Sequence, residues 1–309
     1  MRNKFLKPTS LIVTGLIVVV ALVVGLVASE HKNGSTVKNG VVDVVAGENF
    51  WGNLVSQIGG AHVKVTSVVS DPNADPHEYE TTNKDARAFA AANYVVLNGA
   101  GYDSWGDKLL SANPDPNRRV LRVADLVGKK DGDNPHLWYS PSYVNQMTSR
   151  VAYDLESLDP SDKSYFEAQL KNTQAALAPY QNQIESISQK FKGTKVAATE
   201  DIFVYLANAA GLDLISPPAF IEAVAEGNDP PAQSIVTFQT QLQNKEPKVL
   251  VYNLQTVTPL TENIKKLAAD NGIPVIGITE TLTPLGSSFQ SWMGKEVSAL
   301  QNALNSAAQ

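Results

Sequence analysis

The chain has 309 residues, 43% of them hydrophobic and 18% charged, enough for two ordinary domains with real cores and incompatible with a disordered or low-complexity architecture. The formal net charge is −6, and since residues 1–29 hold three bases (Arg2, Lys4, Lys7) and no acid, the rest of the chain stands at −9. A body of that sign repels phosphate backbones, which argues against nucleic acid as a partner, and it suits cations. Cysteine is absent, so disulfides, thiolate metal sites and cysteine nucleophiles are excluded.

The three N-terminal bases precede an unbroken apolar run at residues 11–28 (LIVTGLIVVVALVVGLVA), the pattern of an export signal. At about 1.5 Å per residue a helix over this run reaches roughly 27 Å, close to a hydrocarbon core of about 30 Å, so it can also remain as an uncleaved anchor. Either way the body is extracytoplasmic. Small residues at 27–29 offer a cleavage point, and the polar stretch 30–40 reads as a flexible tether.

From residue 41 the chain alternates short β-branched runs with helical stretches. Strands are predicted at 41–45 (VVDVV), 63–69 (VKVTSVV) and 94–97 (YVVL), with helices at 49–58 and 83–92 between them. A helix over 141–158 follows, and Asp159-Pro160-Ser161 restarts the chain. Phe166, Leu170, Leu177, Tyr180, Ile184, Ile187 and Phe191 then recur at spacings of three, four and seven, predicting one long amphipathic helix over 162–191 with a bend at Pro179. The alternation resumes with strands at 195–198 (KVAA), 249–252 (VLVY) and 274–278 (PVIGI) and helices at 202–210, 258–269 and 288–304. The fold class is therefore α/β: two lobes of mostly parallel sheet covered by helices, at 41–160 and 193–309, joined by one long rigid helix at 161–192. Such a link limits lobe closure to a small tilt.

Of four histidines, His31 lies in the tether and His62 starts a strand, and both read as solvated surface residues. His77 sits in the loop after the strand 63–69, the end of an open sheet where α/β folds place ligand groups. His136 sits in Asn134-Pro135-His136-Leu137-Trp138, just before a helix. Each follows a proline, which restricts the backbone beside it. Taken singly, each reads as readily as an ordinary loop histidine. In the second lobe, Glu200 and Glu280 each end a strand and open a helix, facing one crevice. Singly, each reads equally well as an acid favoured by a helix N-terminus. Together, two imidazoles and two carboxylates make a mixed N/O donor set suited to Mn²⁺, Zn²⁺ or Fe²⁺ rather than to Ca²⁺ or Mg²⁺, which prefer oxygen alone.

Four ordered motifs, Asp75-Pro76-His77-Glu78-Tyr79-Glu80, Leu97-Asn98-Gly99-Ala100-Gly101-Tyr102 with Trp105, Asn134-Pro135-His136-Leu137-Trp138, and Glu200 with Tyr205 and Gly211-Leu212, resemble those of the manganese- and zinc-binding substrate-binding proteins of ABC importers over about residues 41–305. The resemblance implies two α/β lobes joined by a long helix, one metal at their interface, and His77, His136, Glu200 and Glu280 as its ligands, with Glu280 where the family usually has Asp. It also implies a monomer that delivers one Mn²⁺ or Zn²⁺ as transported ligand to the membrane permease of an ABC importer. Residues 127–134 lack the histidine-rich loop of many zinc-using relatives, which tilts the expectation toward Mn²⁺. The missing cysteine departs from relatives that are anchored as lipoproteins.

Trp138, Trp105 and Tyr79 are expected to keep the site dry, and Asp71 and Asp75 to accept the free N–H of a ligand histidine. Binding without catalysis is the leading reading. A metal-dependent hydrolase would need a general base and a cleft, and no HExxH or Ser/Cys nucleophile motif occurs. A surface adhesin that also binds metal is compatible with the tether and anchor.

Overall fold

The computed structural model describes residues 40–71 and 79–308. In chain order the first sheet takes β1 (Val42–Glu48), β2 (Val63–Val69), β3 (Tyr94–Leu97) and β4 (Arg119–Arg122), interleaved with α1 (Asn49–Gly59), α2 (Asn83–Ala91), α3 (Ser104–Ala112) and the short α4 (Val123–Leu126). Helices α5 (Pro141–Leu158) and α6 (Lys163–Phe191) follow. The second sheet takes β5 (Lys195–Ala198), β6 (Asp213–Leu214), β7 (Leu250–Asn253) and β8 (Val275–Ile278), with α7 (Val204–Ala209), α8 (Pro218–Ala225), α9 (Ala232–Gln243), α10 (Pro259–Asp270) and α11 (Phe289–Ala307). Both sheets are parallel throughout, in the orders β2-β1-β3-β4 and β6-β5-β7-β8. Near-continuous burial along β1, β3 and β7 is what a sheet covered on both faces requires.

Local chemistry sets the helix starts. Thr82 and Thr258 close capping boxes with Asp85 and Thr261, and Ser140 and Ser288 accept the third backbone N–H of α5 and α11. Helix α6 runs 29 residues, about 44 Å. It continues through Pro179, which is exposed, so the carbonyl of Ala175 that loses its helical donor lies on the wet side. The opposite face buries Phe166, Leu177, Tyr180, Ile184, Ile187 and Phe191.

That face belongs to both lobes. Helix α6 packs on α1 and α5 of the first lobe and on α11 of the second, within one hydrophobic core that contains Trp51, Trp138 and Trp292. Phe50 bridges the halves, 4.2 Å from Trp138 and 6.2 Å from Trp292 between ring centroids. Polar ties cross beside it: Asn49 Oδ1 accepts the Leu282 N–H at 2.9 Å, Asn53 Oδ1 that of Phe289 at 2.9 Å, and the Tyr139 hydroxyl donates to the Thr279 carbonyl at 2.8 Å.

Three sequence expectations change. His62 closes a 3-10 turn, Gly60–His62, instead of starting β2, and its ring is half-buried against Tyr165 with Nδ1 3.1 Å from Asp162 Oδ2; a 3-10 turn leaves no period for sequence reading to detect. Glu280 does not open a helix, because residues 281–287 form a loop before α11. Strands β4 and β6 and helices α3, α4, α8 and α9 went unpredicted, being short or lacking β-branched runs. The apolar run 11–28 and residues 30–39 of the tether lie outside the described residues, among which no helix is long and apolar enough to cross a membrane.

A side chain at the shared face tests this arrangement. Leu177→Ala should cost about 2–5 kcal/mol, read by urea unfolding, with a single transition seen by both near- and far-ultraviolet dichroism. Two separated transitions would mean that the lobes fold independently of α6.

Candidate metal centre

In each sheet the chain steps to one side and then returns to the other, so a crevice opens between the carboxyl ends of β1 and β3, and another between those of β5 and β7. Glu48 ends β1 and Asn98 follows β3, while Glu200 follows β5 and Asn253 ends β7. Two residues beyond β8 stands Glu280. All five are buried.

Asn253 links the two second-lobe carboxylates. Its Nδ2 donates to Glu200 Oε2 and, at 2.8 Å, to Glu280 Oε1. From the first lobe the Tyr102 hydroxyl donates to Glu280 Oε2 at 2.9 Å, and Thr256 Oγ1 lies 3.3 Å from Oε1. Gln255 Oε1 accepts the backbone N–H groups of Glu280 and Thr281 at 2.7 and 3.0 Å, fixing the strand end. Two carboxylates held this close and this dry need positive charge between them.

His136 supplies a nitrogen to that space. Its loop is pinned from the first lobe by Asn98 Nδ2, which donates to the Pro135 carbonyl at 2.8 Å, while Asn98 Oδ1 accepts from Trp51 Nε1 at 3.1 Å. From the second lobe, Tyr205 donates to the Asn134 carbonyl at 2.8 Å, and Asn134 Nδ2 donates to the Asp201 carbonyl at 2.7 Å. His136 Nδ1 lies 3.0 Å from Asp201 Oδ1 and 3.1 Å from Asn134 Oδ1. With two acceptors on Nδ1, the proton resides there and Nε2 turns to the carboxylates, 3.5 Å from Glu200 Oε1 and 3.8 Å from Glu280 Oε2. Bonds of about 2.0–2.2 Å to a central ion put neighbouring ligand atoms about 3.0–3.6 Å apart, so this three-residue group, whose ligand atoms all lie within 4.8 Å of one another, approaches the spacing of a coordination polyhedron.

Sequence reading named three of these positions: His136, Glu200 and Glu280 come together. His77 and Asp75 lie outside the described residues. Asp71 is exposed two residues beyond β2, and the carboxylate beside His136 Nδ1 is Asp201. Adjacency to Glu200 was the only sign of Asp201. Asn253 was accessible to the strand-end rule that selected the glutamates. Trp138 is buried against the His136 ring, 5.2 Å between centroids. Trp105 and Tyr79 pack on each other, and Trp105 on Phe89, in a smaller cluster on the first sheet. Beside the His136 loop opens a cleft of about 520 Å³ bordered by Tyr102, Asp133, Asn134, Asp201, Glu222 and Glu226, an acidic rim that raises the local concentration of cations.

Burial works against charge on His136, but hydrogen bonds to Asp201 and Glu280 and the charges of Asp201 and Glu200 prevail and push the imidazole up to about 10. The metal-free site therefore holds an imidazolium. Behind it, burial and then the neighbouring Asp103 charge drive Glu48 well above the usual carboxylate range. Burial lifts Asp103 to about 6 against the Gly99 and Asn98 N–H groups that it accepts at 2.8 and 2.6 Å. Gly99 can present that N–H because its φ of +76° suits glycine. Burial likewise raises Glu296 to about 7, although Thr279 and Tyr139 hydrogen-bond to it.

The family model for the zinc-uptake complex component A, periplasmic (ZnuA), matches residues 44–303. The chain belongs to the ZnuA family. Among its relatives, the metal ABC transporter substrate-binding lipoprotein FimA of Streptococcus parasanguinis is 26% identical over 88% of this chain and 91% of that protein. The manganese ABC transporter substrate-binding lipoprotein PsaA of Streptococcus pneumoniae is 25% identical over 93% and 96%. A crystal structure of ZnuA superposes with a TM-score of 0.69 at 26% identity, covering 85% of this chain and 99% of that one. The Mn²⁺ complex of FpvC from Pseudomonas aeruginosa shares the fold with a TM-score of 0.72 at 18% identity, covering 86% and 99%. The two-lobed architecture with its long helix is thus the ZnuA-family fold.

The raised groups share a sign. A buried carboxyl lifted from 4.5 to about 7, as Glu296 is, costs nothing while both states are protonated and destabilises as pH rises through that window. An imidazole lifted from 6.5 to about 10 contributes stability that is full below 6.5 and is lost as pH approaches 10. Thermal melts in chelator should therefore show the metal-free protein more stable at mildly acidic pH than at mildly alkaline pH, and Glu296→Gln should flatten the change between pH 4.5 and 7. Rising stability across that range would contradict the assigned protonation states.

Proposed function

We propose that this ZnuA-family protein captures one divalent transition metal ion outside the cytoplasm and delivers it to the permease of an ABC importer. The observation that carries the reading is the approach of His136 Nε2 to Glu200 Oε1 and Glu280 Oε2 at 3.5 and 3.8 Å, with Nδ1 held on Asp201 at 3.0 Å. His77, one loop beyond β2, completes the set. The ion replaces the proton on Nε2 and neutralises the two carboxylates, while Asn253 and Tyr102 keep these aimed at it. Binding is the whole of the chemistry, and no residue is assigned to catalysis.

Two carboxylates make the site harder than a three-histidine pocket, which suits Mn²⁺, whereas raw affinity still follows the Irving–Williams order and favours Zn²⁺ in a test tube. Affinity alone therefore does not identify the cargo. An extracytoplasmic location rests on the basic residues and apolar run at 2–28 and agrees with the lipoprotein names of the relatives. With no cysteine to carry a lipid, either that run itself retains the protein at the membrane or the body is released.

His77→Ala and His136→Ala should each abolish tight binding of Mn²⁺ and Zn²⁺ in competition titrations while leaving the far-ultraviolet dichroism unchanged. Wild-type affinity in either variant would remove that residue from the set. Asp201→Asn keeps the shape but weakens the hold on Nδ1, and should cost about 10–100-fold in affinity. Uptake by cells lacking the gene, each metal limited in turn, then separates the cargoes: rescue by zinc alone would overturn manganese.

A further inference from the structure

Away from the lobe interface, a second set of metal-ligating side chains meets where two chain corners touch. His62 ends the 3-10 turn between α1 and β2, Asp159 follows α5, and Asp162 directly precedes α6. One ligand atom from each lies within 4.8 Å of the others. The His62 ring is held in place by Tyr165 at 4.5 Å and edge-on by Phe166 at 5.7 Å between centroids. Its Nδ1 is 3.1 Å from Asp162 Oδ2 and 3.9 Å from Asp159 Oδ2.

Asp159 is the independent sign of a missing partner. It is 8% exposed, and although its Oδ1 accepts from Ser161 at 2.6 Å, its Oδ2 has no hydrogen-bond donor among the described residues and points at the same space as His62 Nδ1. His62 Nδ1 is nearer Asp162, and its 3.9 Å to Asp159 Oδ2 is beyond hydrogen-bond reach. The nearest lysine on α6, Lys163, is engaged by Glu156 and by Glu167 at 3.0 Å. A buried carboxylate oxygen left this way costs free energy that a cation would remove.

We propose that His62, Asp159 and Asp162 form a second, weaker divalent-cation site that ties the α1–β2 corner to the base of α6. One imidazole and two carboxylates select borderline ions such as Zn²⁺ or Mn²⁺ over purely oxygen-seeking ones. Asp162 is part-exposed, so water fills the remaining positions. Held by elements of one lobe and the start of α6, this ion is structural and does not travel with the cargo.

Zn²⁺ alone, titrated calorimetrically into the full chain stripped of metal, tests the site. Wild type should take up two equivalents, the second more weakly. Asp159→Asn, of unchanged shape, should lose the weak event and keep the tight one, which also reports an intact fold. His136→Ala should lose the tight event and keep the weak one. Saturation of wild type at one equivalent, or a second equivalent persisting in both Asp159→Asn and His62→Ala, would overturn the second site. A His136→Ala variant that still binds two equivalents would instead overturn the ligand set at the lobe interface and leave the corner site standing.

Discussion

Everything near the lobe interface answers to one electrostatic constraint: two carboxylates, Glu200 and Glu280, are fully removed from water at the edge of one sheet. Their burial is tolerable only if dipoles and a cation face them. The Asn253 amide reaches both, the Tyr102 hydroxyl reaches one, and the positive charge comes from His136, which belongs to the other lobe. The interface thus exists chemically because each lobe alone is incomplete: one carries excess negative charge, the other the group that balances it. Asp201 adds a further acid, but it faces Nδ1 and strengthens the imidazole's charge rather than competing for the space beyond Nε2.

Such a balance holds only if the partners keep their positions, and the shared core provides that. Helix α6 buries one face between α1, α5 and α11, and Phe50 joins the tryptophans of both halves. The loop carrying His136 is fastened from both sides, by Asn98 in the first lobe and by Tyr205 in the second. Distances of a few tenths of an ångström at Nε2 therefore depend on packing that extends the length of the molecule.

Much of this was legible in the residues. Strands β2, β3 and β5 and helix α5 fall where the sequence pattern places them, because β-branched runs mark β2 and β3 and the Ser140 cap marks α5. Glu200 and Glu280 were visible as acids at strand ends, and His136 as a histidine in a proline-fixed loop. The parts that escaped did so for physical reasons. Asp201 and Asn253 act by direction, and direction is set by tertiary packing that no local pattern encodes. The influence of Asp103 on Glu48 joins residues 55 positions apart, one at the end of β1 and the other just before α3. His62 looked like surface because its partners, Asp159 and Asp162, lie almost a hundred residues away.

The single core spanning both lobes has a consequence for recognition at the membrane. Under the proposed function, a body whose halves share α6 and an aromatic spine is expected to change outline little when an ion takes the place of the proton. Exchanging one proton on Nε2 for a divalent ion raises the local charge by one unit. What an occupied site offers a permease, under that same function, is a change of electrical potential at the cleft mouth, where Asp133, Glu222 and Glu226 stand.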